Sequence, residues 1–514
     1  MASVCTHRAL VRSSRLLAGV VCLLTGFFVL PARGAPPNVL LILTDDQGWP
    51  TLGSYGNRRV PTPHLDRLAA DGVRFQACYV MPQCTPTRAA LLTGQHTARN
   101  GMWHVIPGYG YPLARLREPD FARGLPRDTF TIGSGLRAAG YTTGIIGKWH
   151  VTANADGDYT GLRPTAAAHY GFDLSVPSLR NEAARGDKGV DRFTDEAIRF
   201  IESHRDEPWF LYLSHHTIHG PVLAPEPLVA KYRADGAPET GLHNATYLAA
   251  IEHMDRAVGR LVARLDALGL GDNTVVIFLS DNGGIYQFFD PAPFRAADEP
   301  TQTTPTELTL GREEFSNAPL RAGKGGPYEG GIRVPCIVRW PGVVEPGQVS
   351  ETPIHVVDWM PTLLEIAGAK APDGHAIDGM SLVPLLRGES LPPRPLYWYL
   401  PLYEVRWPTT PCAIVREGDW KLIEFFGDWF DADGRYRVGH RLELYNLKSD
   451  IGEQTNLADK QPARAARLQE QLRAWLKSVE AEVPAPNPEF DEPRQLLEVG
   501  VGKDGKLREV PRRP

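Results

Sequence analysis

Three features of the sequence predict an α/β fold, with a large mixed, mainly parallel sheet sandwiched by helices. NVLLILT (38–44) and TVVIFLS (274–280) are strand-length runs without polar alternation, the pattern of strands buried on both faces. Segments of helical period alternate with such runs, as a sheet covered on both sides requires. Both runs also stop in polar ligand types, Asp45-Asp46 and Asp281-Asn282. In open α/β sheets ligands gather beyond the carboxyl ends of the strands.

Residues 1–34 read as an address. Arg8, Arg12 and Arg15 precede an apolar run, Leu16 to Leu30, and a small-residue exit, PARGAPP. The run is short for a bilayer span. A cleaved secretory signal peptide is therefore expected, with cleavage after Gly34 or Ala35 and a secreted or periplasmic product. Its loss removes four arginines and no acid, taking the formal charge from −5 to −9. No later segment is long and apolar enough to span, so no stable membrane span is expected after processing.

The remaining elements follow in order. TPHLDRLAADG (62–72) predicts a helix with Thr62 as N-cap, Pro63 at its first position and Gly72 after its end. VRFQACYV (73–80) predicts a strand. CTPTRAALLTG (84–94) predicts a helix, with Pro86 just inside its start and Gly94 near its end. YTTGIIGKWHV (141–151) and PWFLYLSHHTIHGP (208–221) predict two more strands. Leu248, Ile251, Met254, Val258, Leu261 and Leu265 mark one face of a helix over 245–268. Residues 285–320, long and rich in Pro and Thr, read as a loop insertion.

A first domain over 35–385 then gives way, after GMSLVPLLRGESLPPRP (379–395), to a smaller C-terminal α+β subdomain over 386–484. There CAIVREGDWKLIEFF and RLELYNL predict antiparallel strands. A helix near 462–482 places Leu468, Leu472, Trp475, Leu476 and Val479 on one face. The tail, 485–514, is Pro-rich and expected to be weakly structured.

The 514 residues suffice for a large core, and the charge of −5 comes with no basic run, so nucleic acid is not an expected partner. Four cysteines lie beyond the signal: Cys78, Cys84, Cys336 and Cys412. This is not a disulfide-rich scaffold. A Cys78–Cys84 bridge stays open on spacing alone.

Asp45, Asp46, Asp281 and Asn282 offer oxygen donors at two strand ends. They could converge on one hard cation, Ca²⁺ or Mg²⁺, or cap the helices that follow. Lys148 and His150, two apart in a predicted strand, point to one face. His215, His216 and His219 crowd the loop after another strand. Lys324 lies in GKGGPYEGG, a loop flexible enough to bring an ammonium to an anion. Arg88 follows Cys84 by four residues, so both lie on one helical face, and a helix N-terminus attracts anions. A cation, an arginine, two lysines and histidines around one cysteine suit a substrate carrying a tetrahedral anion.

These residues carry a resemblance. TDDQG, CTPTRAALLTG, GKWH, HTIHGP, SDNGG and GKGGPYEGGIRVP stand in the order found in the sulfatase family and span most of 38–340. LYNLKSDIGEQTNLA is similar to that family's C-terminal region. The resemblance implies an alkaline-phosphatase-like fold and an arylsulfatase-like sulfuric ester hydrolase. It implies that a formylglycine-generating enzyme oxidises Cys84 to formylglycine, hydrated to a geminal diol. Asp45, Asp46, Asp281 and Asn282, with residue 84, match the family's calcium ligands; calcium is favoured over magnesium. Arg88 and His150 match residues that hold and polarise the diol. Lys148, His219 and Lys324 match groups that bind the sulfate and assist its leaving oxygen. One hydroxyl of the diol attacks sulfur. Loss of the other hydroxyl's proton, to His150, then expels sulfate.

Two departures stand out. Thr87 occupies a position where many relatives have serine. In LYWYLPLYE (396–404), Tyr399 and Leu402 stand where bacterial relatives carry histidines, which puts the specificity in question. The substrate class expected is a sulfated small molecule or sulfated saccharide. Two other readings stay open. One is a phosphate or phosphonate monoester hydrolase on the same superfold. The other is a sulfated-glycan-binding protein without catalysis, should Cys84 remain a thiol.

Overall fold

The computed structural model describes residues 36–106, 108–152, 167–178, 186–290, 307–501 and 507–508. The signal segment 1–34 lies outside the described residues. Nine strands form the main sheet: β1 (Asn38–Thr44), β2 (Val73–Tyr79), β3 (Thr142–Gly147), β4 (Leu174–Pro177), β5 (Trp209–Ser214), β6 (Thr274–Ser280), β7 (Arg333–Arg339), β8 (Gln348–Ser350) and β9 (Ile354–His355). Their spatial order is β8-β2-β7-β6-β1-β5-β3-β4, with β9 also on β2. Only β7 runs antiparallel to its neighbours β2 and β6; the other pairings are parallel.

The unbroken apolar runs produce two cores. Along β1, Val39, Leu41 and Leu43 enter one core while Leu40 and Ile42 enter the other, so both faces are buried. The first face is covered by helices α2 (Cys84–Thr93), α3 (Ile132–Ala138) and α6 (Trp359–Ala367). The second is covered by α1 (Pro63–Ala70), α4 (Val190–Ser203) and α5 (Ala245–Ala267).

Register places the functional edge. Thr44 pairs with Ser280, Leu43 with Ser214, and Ser214 with Gly147. Four parallel strands therefore end nearly in line, and Asp45, Asp281, His215 and Lys148 follow side by side. Gly147 sits at φ +100, and a Cβ there would lie 2.0 Å from the Ser214 carbonyl oxygen. Only glycine lets β3 finish so close to β5.

Three expectations change here, and one open alternative closes. Thr62 makes no side-chain cap to α1. Instead the Asp255 carboxylate on α5 accepts from the amides of His64 and Leu65, so the cap comes from a packed helix rather than from the preceding residue. Over 285–320, Gln287–Phe289 pairs antiparallel with Leu310–Glu313; residues 291–306 lie outside the described part. The tail is packed, not loose, over much of its described length. Ala485–Pro486 pairs with Leu116–Arg117, Val499–Val501 pairs with Tyr109–Gly110, and Leu496 and Glu498 are buried. Finally, the four cysteines are free and buried, so Cys78 and Cys84 are not bridged.

The C-terminal part is as expected: an antiparallel sheet of β10 (Leu396–Leu400), β11 (Cys412–Glu417), β12 (Trp420–Phe425) and β13 (Arg441–Asn446). Helix α7 (Pro462–Ser478) lays Leu468, Leu472 and Leu476 on it. Tyr399 and Leu402, the two departures, are both buried, and the Tyr399 hydroxyl donates to the Glu482 carbonyl.

Candidate active site

Cys84 is the first residue of α2, and all ten residues of that helix are buried. The helix ends at Gly94, as expected, in a left-handed cap. Arg88, one turn in, is wholly buried. Its Nε and Nη2 donate to Asp281 Oδ2 at 2.9 and 2.6 Å, and its Nη1 donates to the Lys148 carbonyl at 3.2 Å and to Ser214 Oγ. The guanidinium thus ties together the ends of β6, β3 and β5. Its hydrogen bonds go to those strand ends and not to the Cys84 side chain.

Lys148 and His150 both reach the site, but not as neighbours on one strand. β3 stops at Gly147, and His150 adopts φ +58, a left-handed conformation uncommon for such a residue. That turn brings His150 Nδ1 to 3.3 Å from Cys84 Sγ. The other ring nitrogen, Nε2, lies 2.8 Å from the Ile106 carbonyl. A carbonyl only accepts, so Nε2 carries the hydrogen and Nδ1 presents a lone pair to residue 84. Burial, with Lys148 adding to it, pushes the His150 pKa down to about 3, so the ring is neutral across the physiological range.

The carboxylates converge from the two strand ends. Asn282 Nδ2 donates to Asp46 Oδ1 at 2.8 Å, and the Asp46 amide donates to Asp281 Oδ1 at 3.2 Å. Lys148 Nζ lies 2.5 Å from Asp45 Oδ2, and Lys324 Nζ lies 2.6 Å from Asp46 Oδ1. Ligand atoms of Asp45, Cys84 and Asp281 fall within 4.8 Å of one another, as do those of Asp45, Asp46 and His219.

The set fits a hard cation on two counts. Asp45 Oδ1 and Asn282 Oδ1 are buried without a hydrogen-bond partner. Such oxygens are costly unless something fills their lone pairs. Asp281 also lacks enough counter-charge to offset its burial. Burial works to raise Asp45, but Lys148 first, then His219, Arg88 and Lys324, hold it well below the usual carboxylate range. Burial and the Asp45 charge drive Asp281 well above that range despite Arg88. A divalent ion among these oxygen donors would fill the unpartnered lone pairs and favour the ionised form of Asp281.

His219 sits in the loop after β5. Its Nδ1 donates to the Gly220 carbonyl at 2.6 Å, which leaves Nε2 as the available nitrogen. Burial and the nearby Lys324 hold its pKa well below the ordinary value.

One residue at this edge escaped the sequence reading. Lys188, just before α4, sends Nζ to 2.5 Å from the His219 carbonyl. Burial pushes its pKa down to about 8; Lys148 and Lys324 add to the fall, while Asp45 and Asp46 oppose it. Its only sequence signal is a lysine beside glycine in a loop, no stronger than at many surface positions. Three carboxylates thus face four cationic side chains, Arg88, Lys148, Lys188 and Lys324. With a divalent cation added, the site is strongly positive and suits an anionic substrate.

Comparison with known proteins bears on this arrangement. A family profile described as Sulfatase matches residues 37–369, and one described as N-sulphoglucosamine sulphohydrolase, C-terminal, matches 324–482. The chain is 31% identical to a protein named Sulfatase from Formosa agariphila, over 86% of this chain and 88% of the other. It is 32% identical to human N-acetylgalactosamine-6-sulfatase, over 72% of this chain and 69% of the other. Among solved structures, that of Ps i-CgsB in complex with k-i-k-neocarrahexaose superposes with a TM-score of 0.66 at 24% identity, covering 89% of this chain and 94% of the other. That likeness supports the fold.

Proposed function

Because the chain belongs to the sulfatase family and is a sulfuric ester hydrolase, we propose that it removes sulfate from a sulfated saccharide, using residue 84 as a formylglycine made from Cys84. A formylglycine-generating enzyme is the maturation partner this requires. Calcium is the proposed ion, held by Asp45, Asp46, Asp281, Asn282 and residue 84. The observation that carries the reading is the contact of His150 Nδ1 with residue 84, at the mouth of a helix that faces two lysines and three carboxylates. The saccharide rests on the relative named N-acetylgalactosamine-6-sulfatase.

Each side chain then has a task. The hydrated aldehyde at position 84 supplies the hydroxyl that attacks sulfur. A cation held by Asp45, Asp46, Asp281 and Asn282 would make that hydroxyl more acidic and would offset charge on the sulfuryl oxygens. His150 Nδ1, neutral and facing residue 84, takes a proton from it. Lys148, Lys188 and Lys324 hold the sulfuryl oxygens. His219 is neutral in the free site, and a bound anion raises its proton affinity. Its Nε2 can then carry a proton to the departing alcohol. Arg88 keeps the three strand ends in place and neutralises Asp281.

Among the described residues no helix is long and apolar enough to cross a membrane. Export through the 1–34 signal is part of the proposal.

Comparison of 4-nitrophenyl sulfate with 4-nitrophenyl phosphate on one preparation tests the reaction class. Faster turnover of the sulfate, with sulfate released, is expected; a preference for the phosphate would sink it. The pH profile gives a second test. Lys188 is an ammonium below about pH 8 and neutral above it. The value of kcat/KM is therefore expected to fall on the alkaline side with a midpoint no higher than that pH, since a bound cation lowers the Lys188 pKa further. Lys188→Arg, charged throughout, should lose that limb. The bound anion favours the ammonium, so kcat should fall at higher pH than kcat/KM. An identical alkaline limb in wild type and Lys188→Arg would remove Lys188 from anion binding.

A further inference from the structure

Against the sulfuryl site, sharing Lys324 with it, lies a cavity of about 280 Å³ whose other walls the chemistry above does not use. It opens between the 404–409 loop, the Gln287–Phe289 strand and the 430–434 turn. Tyr286, Phe289, Trp407 and Phe430 give it aromatic walls, and Arg321 and Gln454 give it a polar rim.

Trp407 connects the two spaces. It is half-buried, and its ring centroid lies 5.3 Å from Lys324 Nζ, the same ammonium that sits 2.6 Å from Asp46. The indole is held firmly. A Cβ on Gly325, at φ +79, would fall 2.6 Å from Trp407 Cε3, so the ring packs directly on bare backbone. Phe288 meets it edge-on at 5.7 Å. Thr409 Oγ1 shares its one hydrogen between the Trp407 carbonyl at 2.6 Å and the Gly325 carbonyl at 2.9 Å, and the Gly325 amide donates to the Pro82 carbonyl at 2.7 Å. That chain of bonds fixes the loop to the segment that leads into Cys84. The Trp407 Nε1–H is buried and has no partner, although indole N–H groups usually find one when buried.

We propose that this cavity is a subsite for a saccharide ring, the one glycosidically linked to the ring that bears the sulfate. The inference rests on the saccharide reading above. A pyranose has an apolar C–H face and a rim of hydroxyls, which match an aromatic plate ringed by a guanidinium and an amide. The volume lies at the low end of ligand pockets, which run from about 300 Å³, and suits one ring, not an extended chain. A flat apolar aglycone such as a steroid would leave the polar rim unpaired, at a cost.

The test uses the full mature chain. A panel of defined sulfated disaccharides, their matching sulfated monosaccharides, a steroid sulfate and 4-nitrophenyl sulfate is assayed. For the disaccharide turned over fastest, wild-type kcat/KM is expected to exceed that of the matching monosaccharide by about tenfold or more. Trp407→Ala should erase that ratio, lowering kcat/KM on the disaccharide far more than on 4-nitrophenyl sulfate. Trp407→Tyr, which keeps an aromatic plate, should restore most of it, which separates stacking from misfolding. Equal turnover of mono- and disaccharide, a ratio that survives Trp407→Ala, or a steroid sulfate as best substrate overturns the subsite. Failure to hydrolyse any sulfate ester would instead count against the function proposed above.

Discussion

Cys84→Ser is expected to lower kcat on 4-nitrophenyl sulfate by about 10³-fold or more, the scale on which removal of an enzyme's nucleophile is felt. The serine hydroxyl can occupy the same place at the start of α2, 3.3 Å or so from His150 Nδ1 in the cysteine chain. It can attack sulfur, but it has no second hydroxyl. Release of sulfate then needs water to reach an anionic sulfate ester in a positive, buried pocket. The variant is therefore expected to accumulate sulfate on residue 84, visible as a mass shift in the intact chain, with folding unchanged. Wild-type turnover by the serine variant would show that residue 84 needs no aldehyde.

Asp281→Asn is expected to produce the second largest loss, about 10²-fold or more in activity, with calcium content falling alongside. Changes to outer partners of a metal site already cost about 10–100-fold, and Asp281 is proposed as a direct ligand. It also accepts two bonds from the wholly buried Arg88. Leaving one member of a buried pair uncompensated costs about 3–5 kcal/mol. The amide keeps one acceptor oxygen and softens that loss, but Arg88 would keep no anionic partner at 2.6 Å. A fall in melting temperature should therefore accompany the loss of metal, and added calcium should rescue activity only in part. Retention of metal and rate by Asp281→Asn would remove the residue from the ion's shell.

The acidic pairs were legible in the sequence for a physical reason. An unbroken apolar run signals a strand buried on both faces, and a polar pair at its end marks the carboxyl edge of a parallel sheet. Asp45, Asp46, Asp281 and Asn282 all satisfy that pattern, and the structure brings them together. Cys84 and Arg88 were legible through helical spacing. Lys148 and His150 were legible as residues but not as geometry. Strand period places them on one face, whereas β3 stops at Gly147 and the left-handed His150 delivers the ring by a turn. Lys188 was hidden because nothing local separates it from a solvated lysine; only packing of the 186–190 turn against the His219 loop does so. The same limit applies to the cap of α1, supplied by Asp255 some 190 positions away in sequence. It applies also to the tail, whose Pro-rich texture hides its pairing with Leu116–Arg117 and Tyr109–Gly110.

The central claim is that residue 84 acts as an aldehyde and not as a thiol. Mass spectrometry of the peptide containing residue 84 tests it most directly, on preparations expressed with and without a formylglycine-generating enzyme and assayed in parallel. Specific activity is expected to rise in proportion to the fraction of residue 84 present as formylglycine, and to vanish as that fraction approaches zero. A fully active preparation in which residue 84 is entirely unmodified cysteine would contradict the account.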